Sequence, residues 1–483
     1  MNPYRESPST WTRRQFLGRT GVGLGSIALA SLLAESTNAA GLAPPADPLA
    51  PKPPHYPARA KAVIFLGQIG APSQLDLFDY KPELIKRDGQ PVPESVLQGE
   101  TFVFIGQGKT QLLASPWKWS QHGQNGTWLT ERLPFHRDMV DDLTFIHTMH
   151  THEMNHVPAN LLLQTGSPRM GRPAMGAWIT YGLGTDNRDL PGFVVLASGK
   201  AGRCGSTCWS SGFLPSVYQG VQLRSTGDPV LYLSNPPGMD RQLRRDSLDT
   251  LQELNRRALD HIDDPEIATR ISAFEMAFRM QASVPDLMDI TREPKYIHEL
   301  YGTEPGKATF ANNCLLARRL VESGVRFVQL IHGGWDHHGG HGDQNLLTNL
   351  PQRAREVDQG TAALIKDLKQ RGLLKHTLVI FGGEFGRTPM LQGPRSTTEL
   401  GRDHLRTAFT MWLAGGGIKP GLHLGQTDDF AMRPISDPVH VHDLQATILH
   451  LLGMDHTRLT YRFQGRHFRL TDVHGQVVQK ILA

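Results

Sequence analysis

Thr377-Leu378-Val379-Ile380-Phe381-Gly382-Gly383-Glu384-Phe385-Gly386 carries the clearest fold signal in the chain. Its first five residues are β-branched, aliphatic or aromatic, and the run stops on paired glycines. That is the pattern of a short strand buried on both faces, as in a parallel sheet. Just before it, Arg353–Arg371 puts Val357, Thr361, Leu364, Ile365 and Leu368 on one helical face, and Gly372 ends the helix. Just after it come a strand-like run, Ala408–Leu413, and a short helical pattern, Asp443–Leu452, ended by Gly453. Upstream, Ala62–Leu66, Leu143–Ile146, Phe193–Leu196 and Val325–Ile331 have the same strand character. Strands alternating with helices predict an α/β fold: a mostly parallel sheet sandwiched by helices.

Composition narrows the function. The chain has 483 residues, 39% hydrophobic and 20% charged, which excludes global disorder. Lys+Arg is 50 and Asp+Glu is 46, a net +4 without the clustered excess of a nucleic-acid binder. No run reaches the roughly 18–20 consecutive apolar residues of a membrane span. Three cysteines exclude a disulfide-built scaffold. Histidine, the commonest metal ligand, occurs 22 times.

The amino-terminus carries an address. Thr12-Arg13-Arg14-Gln15-Phe16-Leu17 matches the twin-arginine pattern, and a weakly apolar stretch follows from Gly21 to Ala34. Thr37 and Ala39 suit a peptidase, so residues 1–39 read as a twin-arginine signal peptide. Its removal takes four arginines and two glutamates, leaving +2 and no transmembrane anchor. The expected location is periplasmic or secreted. Residues 40–60 are proline-rich and read as an extended linker.

The α/β core is expected over 61–200 and 300–475. Residues 200–300 differ: Asp240–Met280 is charged and helical in pattern, and reads as an inserted cap. Within it, Cys204 and Cys208 form either a short-loop disulfide or two free thiols. Cys314 reads as a buried helix residue.

Candidate chemistry gathers in two histidine clusters. His147, His150, His152 and His156 follow one strand, and His332, His337, His338 and His341, with Asp336, follow another. Glu384 ends the strand quoted above. Sites in α/β sheets form beyond the carboxyl ends of strands, and Asp336, His338 and Glu384 obey that rule. His404 lies ahead of its strand, so it reaches the same edge only if that strand runs antiparallel. Asp336, His338, Glu384 and His404 are the expected ligands of one divalent metal, Zn, Mn or Fe. His147 and His150 read as ordinary loop residues, and Asp76 and Asp79 as turn or cap residues.

Several blocks resemble the alkaline phosphatase/sulfatase superfamily. Thr377–Gly386 is similar to its strand ending in Asp-His-Gly. Gly415–Gly421 is similar to its later glycine-proline turn, and Asp443–Gly453 to its closing helix. Asp358 matches an aspartate of the superfamily's preceding helix. More narrowly, Gly334-Trp335-Asp336-His337-His338, Gly383–Pro389, Gly401-Arg402-Asp403-His404 and Ala71–Asp76 resemble the exported bacterial family called domain of unknown function 1501. That resemblance covers nearly the whole chain after residue 40.

The departures shape the expected mechanism. His156-Val157-Pro158-Ala159-Asn160 stands where a sulfatase carries its formylglycine-forming cysteine or serine and, four residues on, an arginine. Leu66-Gly67-Gln68-Ile69 lacks the paired aspartates of the first strand, and Glu384-Phe385 replaces an Asp-His pair. A formylglycine mechanism is therefore excluded, and one metal is expected rather than two. His156 becomes a candidate catalytic residue by position. Arg387 either pairs an anionic substrate oxygen or makes a surface salt bridge. Ser73 is either a nucleophile with a base beside it or a turn-stabilising hydroxyl.

Two functions follow. One is a metal-dependent hydrolase of phosphate or sulfate esters, on small molecules or glycans. The other is a degenerate, non-catalytic binding protein for an anionic glycan or a protein partner. Nucleic acid is not an expected partner of either.

Overall fold

The structure, a computed structural model, describes residues 47–483 apart from 105–109, 200–203, 231–233, 263–264, 341–343, 394 and 396–397. The expected signal peptide and the first part of the proline-rich segment lie outside the described residues, as does His341.

One nine-stranded sheet organises the chain. Its strands are β1 (Ala62–Ile69), β2 (Thr144–His150), β3 (Phe193–Ser198), β4 (Val221–Leu223), β5 (Phe327–Gly333), β6 (Thr377–Gly382), β7 (Phe409–Ala414), β8 (His423–Leu424) and β9 (Val439–His440). They lie in the order β8-β2-β7-β6-β1-β5-β3-β4, with β9 also on β2. Central β1 is flanked in parallel by β5 and β6. Every residue of β5 and β6 is buried, which explains their uninterrupted apolar reading. Among the described strands of this sheet, β7 alone is antiparallel, to both β6 and β2. That direction carries the loop ahead of β7, with His404, to the carboxyl edge of β1, β5 and β6.

The longer helices around the sheet include α1 (His156–Thr165), α2 (Met175–Leu183), α3 (Arg241–Ile262), α4 (Pro265–Met288), α5 (Phe310–Glu322), α6 (Leu346–Gln370) and α7 (Val441–Leu451). The expected face of α6 is buried at Val357, Thr361, Leu364, Ile365 and Leu368. The helix begins earlier than its periodicity suggested. Asn345 caps it by accepting from Leu347 N at 2.9 Å, and Pro351 is accommodated inside it. Asp358 on α6 accepts from Phe135 N, His136 N and His136 Nδ1 at 2.6–2.9 Å, pinning the loop ahead of β2.

Three boundaries differ from the sequence reading. β4 lies inside the expected insertion yet pairs in parallel with β3, so the sheet extends past residue 200. The segment from 47 to 60 is strapped to the body rather than free. Lys52 N donates to Leu183 O, His55 N to Gly453 O and Arg59 N to Leu451 O. Residues other than proline supply those donors, satisfying carbonyls at or just past helix ends. Packing also continues past 475, where Ile481 is fully buried. In the middle region α3 and α4 pair with each other, and Cys204 and Cys208 are joined in a disulfide. Cys314 is buried on α5, and burial pushes its thiol well up.

Candidate metal centre

Four loops meet at the carboxyl edge of the sheet. β1 exits through Gly70, β5 leads to Asp336 and His338, β6 leads to Glu384, and residues 401–404 precede β7. Two glycines allow the close approach. Gly70 has φ +108°, and a Cβ there would lie 2.8 Å from the backbone nitrogens of Trp335 and Asp336. A Cβ on Gly401 would lie 1.9 Å from the carbonyl carbon of His338. No other residue fits either place. Backbone bonds then lock the loops: Arg402 N donates to His337 O at 2.9 Å, and His404 pairs in register with Arg387.

Three imidazoles surround one carboxylate oxygen. Asp336 Oδ1 lies 2.7 Å from His338 Nε2, 3.1 Å from His156 Nε2 and 3.5 Å from His404 Nε2. Ligand atoms of these four residues all fall within 4.8 Å of one another, so the group could hold a metal ion. On the far side of each ring, Nδ1 faces an acceptor. His156 Nδ1 donates to Glu384 Oε1, His338 Nδ1 to Gln392 Oε1 and His404 Nδ1 to Met154 O, each at 2.6 Å. A proton on every Nδ1 leaves a lone pair on every Nε2 in the neutral rings. Three lone pairs facing a carboxylate oxygen repel unless a proton or a cation lies among them. His156 Nε2 is buried, close to Asp336, and still without an aligned hydrogen bond. Fixed tautomers, convergent nitrogens and an orphaned donor atom fit a divalent metal.

Without an ion the charges respond accordingly. Burial opposes ionisation of Asp336, but contact with the three histidines and Arg387 holds its carboxyl far below the usual range. Burial pulls His156 down, and the carboxylates of Asp336 and Glu384 overcome it, lifting the ring to about 8. Burial pushes His404 down to about 4 despite Asp336, with Arg387 adding to the effect.

The remaining expected residues fall around this group. Glu384 does not join the four. It is fully buried, and Oε1 also accepts from Gly70 N at 3.0 Å, so it braces His156 from behind. Arg387 is neither at the surface nor free for a substrate. It is 1% exposed, and Nη2 donates to Asp336 Oδ1 at 2.6 Å and to Gly70 O at 2.5 Å. Its Nε donates to Ala71 O at 3.0 Å and Nη1 to Arg402 O at 3.2 Å. The guanidinium thus clamps Asp336 to two loops. Ser73 is buried and donates to Asp76 Oδ2 at 2.5 Å. Asp76 in turn makes a two-pronged ion pair with Arg402, at 2.7 and 3.1 Å, both residues fully buried. The Ser73 hydroxyl is therefore engaged by a carboxylate that is itself held in a buried ion pair.

Among the described residues, each histidine cluster contributes one member, His156 and His338. His147 bonds His423, His332 faces Ser198 and Glu356, and His337 faces Asn349. Sequence reasoning missed Gln392, Met154 O, Asn155 and Phe104. Gln392 and the Met154 carbonyl act only by orienting imidazoles, and nothing in residue type or spacing marks such a role. A cavity of about 350 Å³ opens over the group, rimmed by Phe104, Asn155, Gln344 and Gln392. None of the described residues of the 200–300 segment lines it.

The family model described as "Protein of unknown function (DUF1501)" matches residues 60–482. No curated protein matches the chain in sequence. Among solved structures, the chain is similar to a protein in the alkaline phosphatase superfamily from Vibrio parahaemolyticus. The identity is 11%, covering 89% of this chain and 76% of that one, at a TM-score of 0.33. It is similar to the PsFucS1 sulfatase from Pseudoalteromonas sp. at 12% identity, covering 82% and 68%, at a TM-score of 0.34. It is also similar to the lipoteichoic acid synthase LtaP from Listeria monocytogenes at 10% identity, covering 88% and 79%, at a TM-score of 0.34. Among the described residues, no helix is long and apolar enough to cross a membrane.

Proposed function

The chain belongs to the family described as "Protein of unknown function (DUF1501)", and we propose that it is an exported hydrolase of phosphate or sulfate esters that works with one divalent metal. The observation that carries this reading is the tautomer lock. Glu384, Gln392 and Met154 O each take an Nδ1 proton, turning three Nε2 atoms toward Asp336. His156, Asp336, His338 and His404 would hold the ion, and zinc, manganese and iron all suit that donor set. When bound, the ion would supply Lewis-acid polarisation of a substrate oxygen and of water. Arg387 sets Asp336, and Glu384 sets His156. Ser73 is committed to Asp76, so the reading assigns attack to water rather than to a side chain. The superfamily-like blocks around Thr377–Gly386 and Asp443–Gly453 support an ester of phosphate or sulfate as substrate. The twin-arginine pattern at Thr12–Leu17 supports export.

The competing reading is a non-catalytic binder of an anionic glycan or a protein partner. It is favoured by Gln68, a carboxamide at the end of β1 where the superfamily places aspartates. Elemental analysis of the full chain, purified without chelator or affinity tag, tests the metal. About one equivalent of zinc, manganese or iron, lost in His338→Ala, is the expected result. Folded protein that neither carries nor takes up metal overturns the hydrolase reading. Metal without turnover across phosphate and sulfate esters favours the binder.

A further inference from the structure

Phe104 stands at the mouth of a cavity that Val157 and Pro158 also line. It is 59% exposed, yet its position is set. Its backbone N donates to Asp403 Oδ2 at 2.8 Å, and Asp403 Oδ1 accepts from His404 N at 2.7 Å. One carboxylate therefore places both Phe104 and a metal-group histidine. The phenyl ring stands edge-on to His338, at 4.8 Å between centroids, and to His404, at 5.9 Å. Leaving this ring in water forgoes the stabilisation that burial would bring. Beside it stand three carboxamides. Asn155 holds the N-cap position of α1 without making a side-chain cap. Gln392 gives its carbonyl to His338, which leaves its NH2 group for other partners. Gln344 completes the rim and is exposed.

We infer that Phe104 and the carboxamides of Asn155, Gln344 and Gln392 form a recognition site for a pyranose ring, so that the ester is carried on a sugar. A pyranose has an apolar C–H face for the phenyl ring and equatorial hydroxyls that both donate and accept. Carboxamides also do both and are neutral, which suits hydroxyls better than ionic groups. An exposed phenyl ring offers nothing to a bare inorganic anion. The cavity, about 350 Å³, lies near the lower end of ligand pockets, roughly 300–1,000 Å³. That size accommodates one ring. The ester part of this inference rests on the proposed function, whereas the sugar-ring part stands on the rim alone.

The test is calorimetric titration of the full chain with methyl glucoside, methyl galactoside and methyl mannoside, against sorbitol and inorganic phosphate. It is run with and without added zinc, on wild type, Phe104→Ala and Phe104→Trp. Metal content is measured on the same samples. At least one pyranoside should bind in preference to sorbitol. Phe104→Ala should weaken it about tenfold, the loss of one aromatic contact. Phe104→Trp should retain it, and neither variant should change metal content. Pyranosides binding no better than sorbitol, or equally well to Phe104→Ala, would overturn the sugar site. A Phe104-dependent preference in protein that takes up no metal would uphold the sugar site and sink the hydrolase reading alone.

Discussion

Glu384 Oε1 lies 2.6 Å from His156 Nδ1, on the side of the imidazole away from Asp336. The carboxylate that sequence spacing suggested as a ligand thus stands behind one of the four residues that could hold a metal ion. This carboxylate–imidazole–site order is how many metal-binding histidines are oriented.

Glu384→Gln should therefore weaken metal affinity by about 10–100-fold without abolishing it, as expected for an outer partner. Competition with a chelator of known affinity measures the change. Complete loss of binding in correctly folded protein would place Glu384 among the ligands.

Asp336→Asn should remove the metal and also cost stability. Arg387 is buried and gives its shortest charged contact to Asp336. Losing a hydrogen bond between charged partners costs about 1.5–3 kcal/mol. His338→Asn should lose metal with a smaller penalty. Chemical denaturation of both variants, prepared metal-free, separates the two effects. Equal stability would mean that the clamp is not needed for folding.

The Asp76–Arg402 pair predicts a large structural cost with no direct chemistry. Asp76→Ala leaves a buried guanidinium without its partner and should destabilise by about 3–5 kcal/mol. Ser73→Ala removes one hydrogen bond and should cost about 1 kcal/mol. Metal content and any turnover should survive Ser73→Ala. Loss of turnover with metal retained would restore Ser73 as a nucleophile.

Histidine burial predicts acid sensitivity. Burial pushes His147 down to about 4, against the pull of Asp79 and with the help of His423, and Nε2 lies 2.9 Å from His423 Nδ1. The unfolded ring titrates near 6.5. Between these values the unfolded chain binds the extra proton. Stability is thus full above about 6.5 and falls as pH drops toward 4, with a slope of on the order of one proton from this group. His147→Gln should flatten that slope in denaturation curves measured from pH 7 to 4. An unchanged slope would assign the acid sensitivity to other histidines.

Local pattern revealed much. Continuous apolar runs such as Val379–Phe381, ended by paired glycines, suit strands covered on both faces, and the α6 periodicity names the residues it buries. The position of His404 even stated its own condition, an antiparallel β7, which the sheet meets. Loop chemistry was legible as a set of residue types at strand ends, but not as a constellation. Gln392 is 54 residues from His338, and Met154 is 250 from His404. Neither carries a signal of function in its type.

The α/β class, the sheet edge where candidate ligands gather and the short set of carboxylates and imidazoles available there were legible in the chain alone. Those follow from hydrophobic period and strand polarity, which are local properties of the chain. Which members meet was settled by the tertiary structure. It drew His156 in, set Glu384 behind it, buried Arg387 against Asp336 and tied Ser73 to Asp76. The physical reason is that ligand geometry depends on loop closure. Gly70 and Gly401 let separate loops approach within contact of neighbouring backbone, and only that approach decides which nitrogen faces which oxygen.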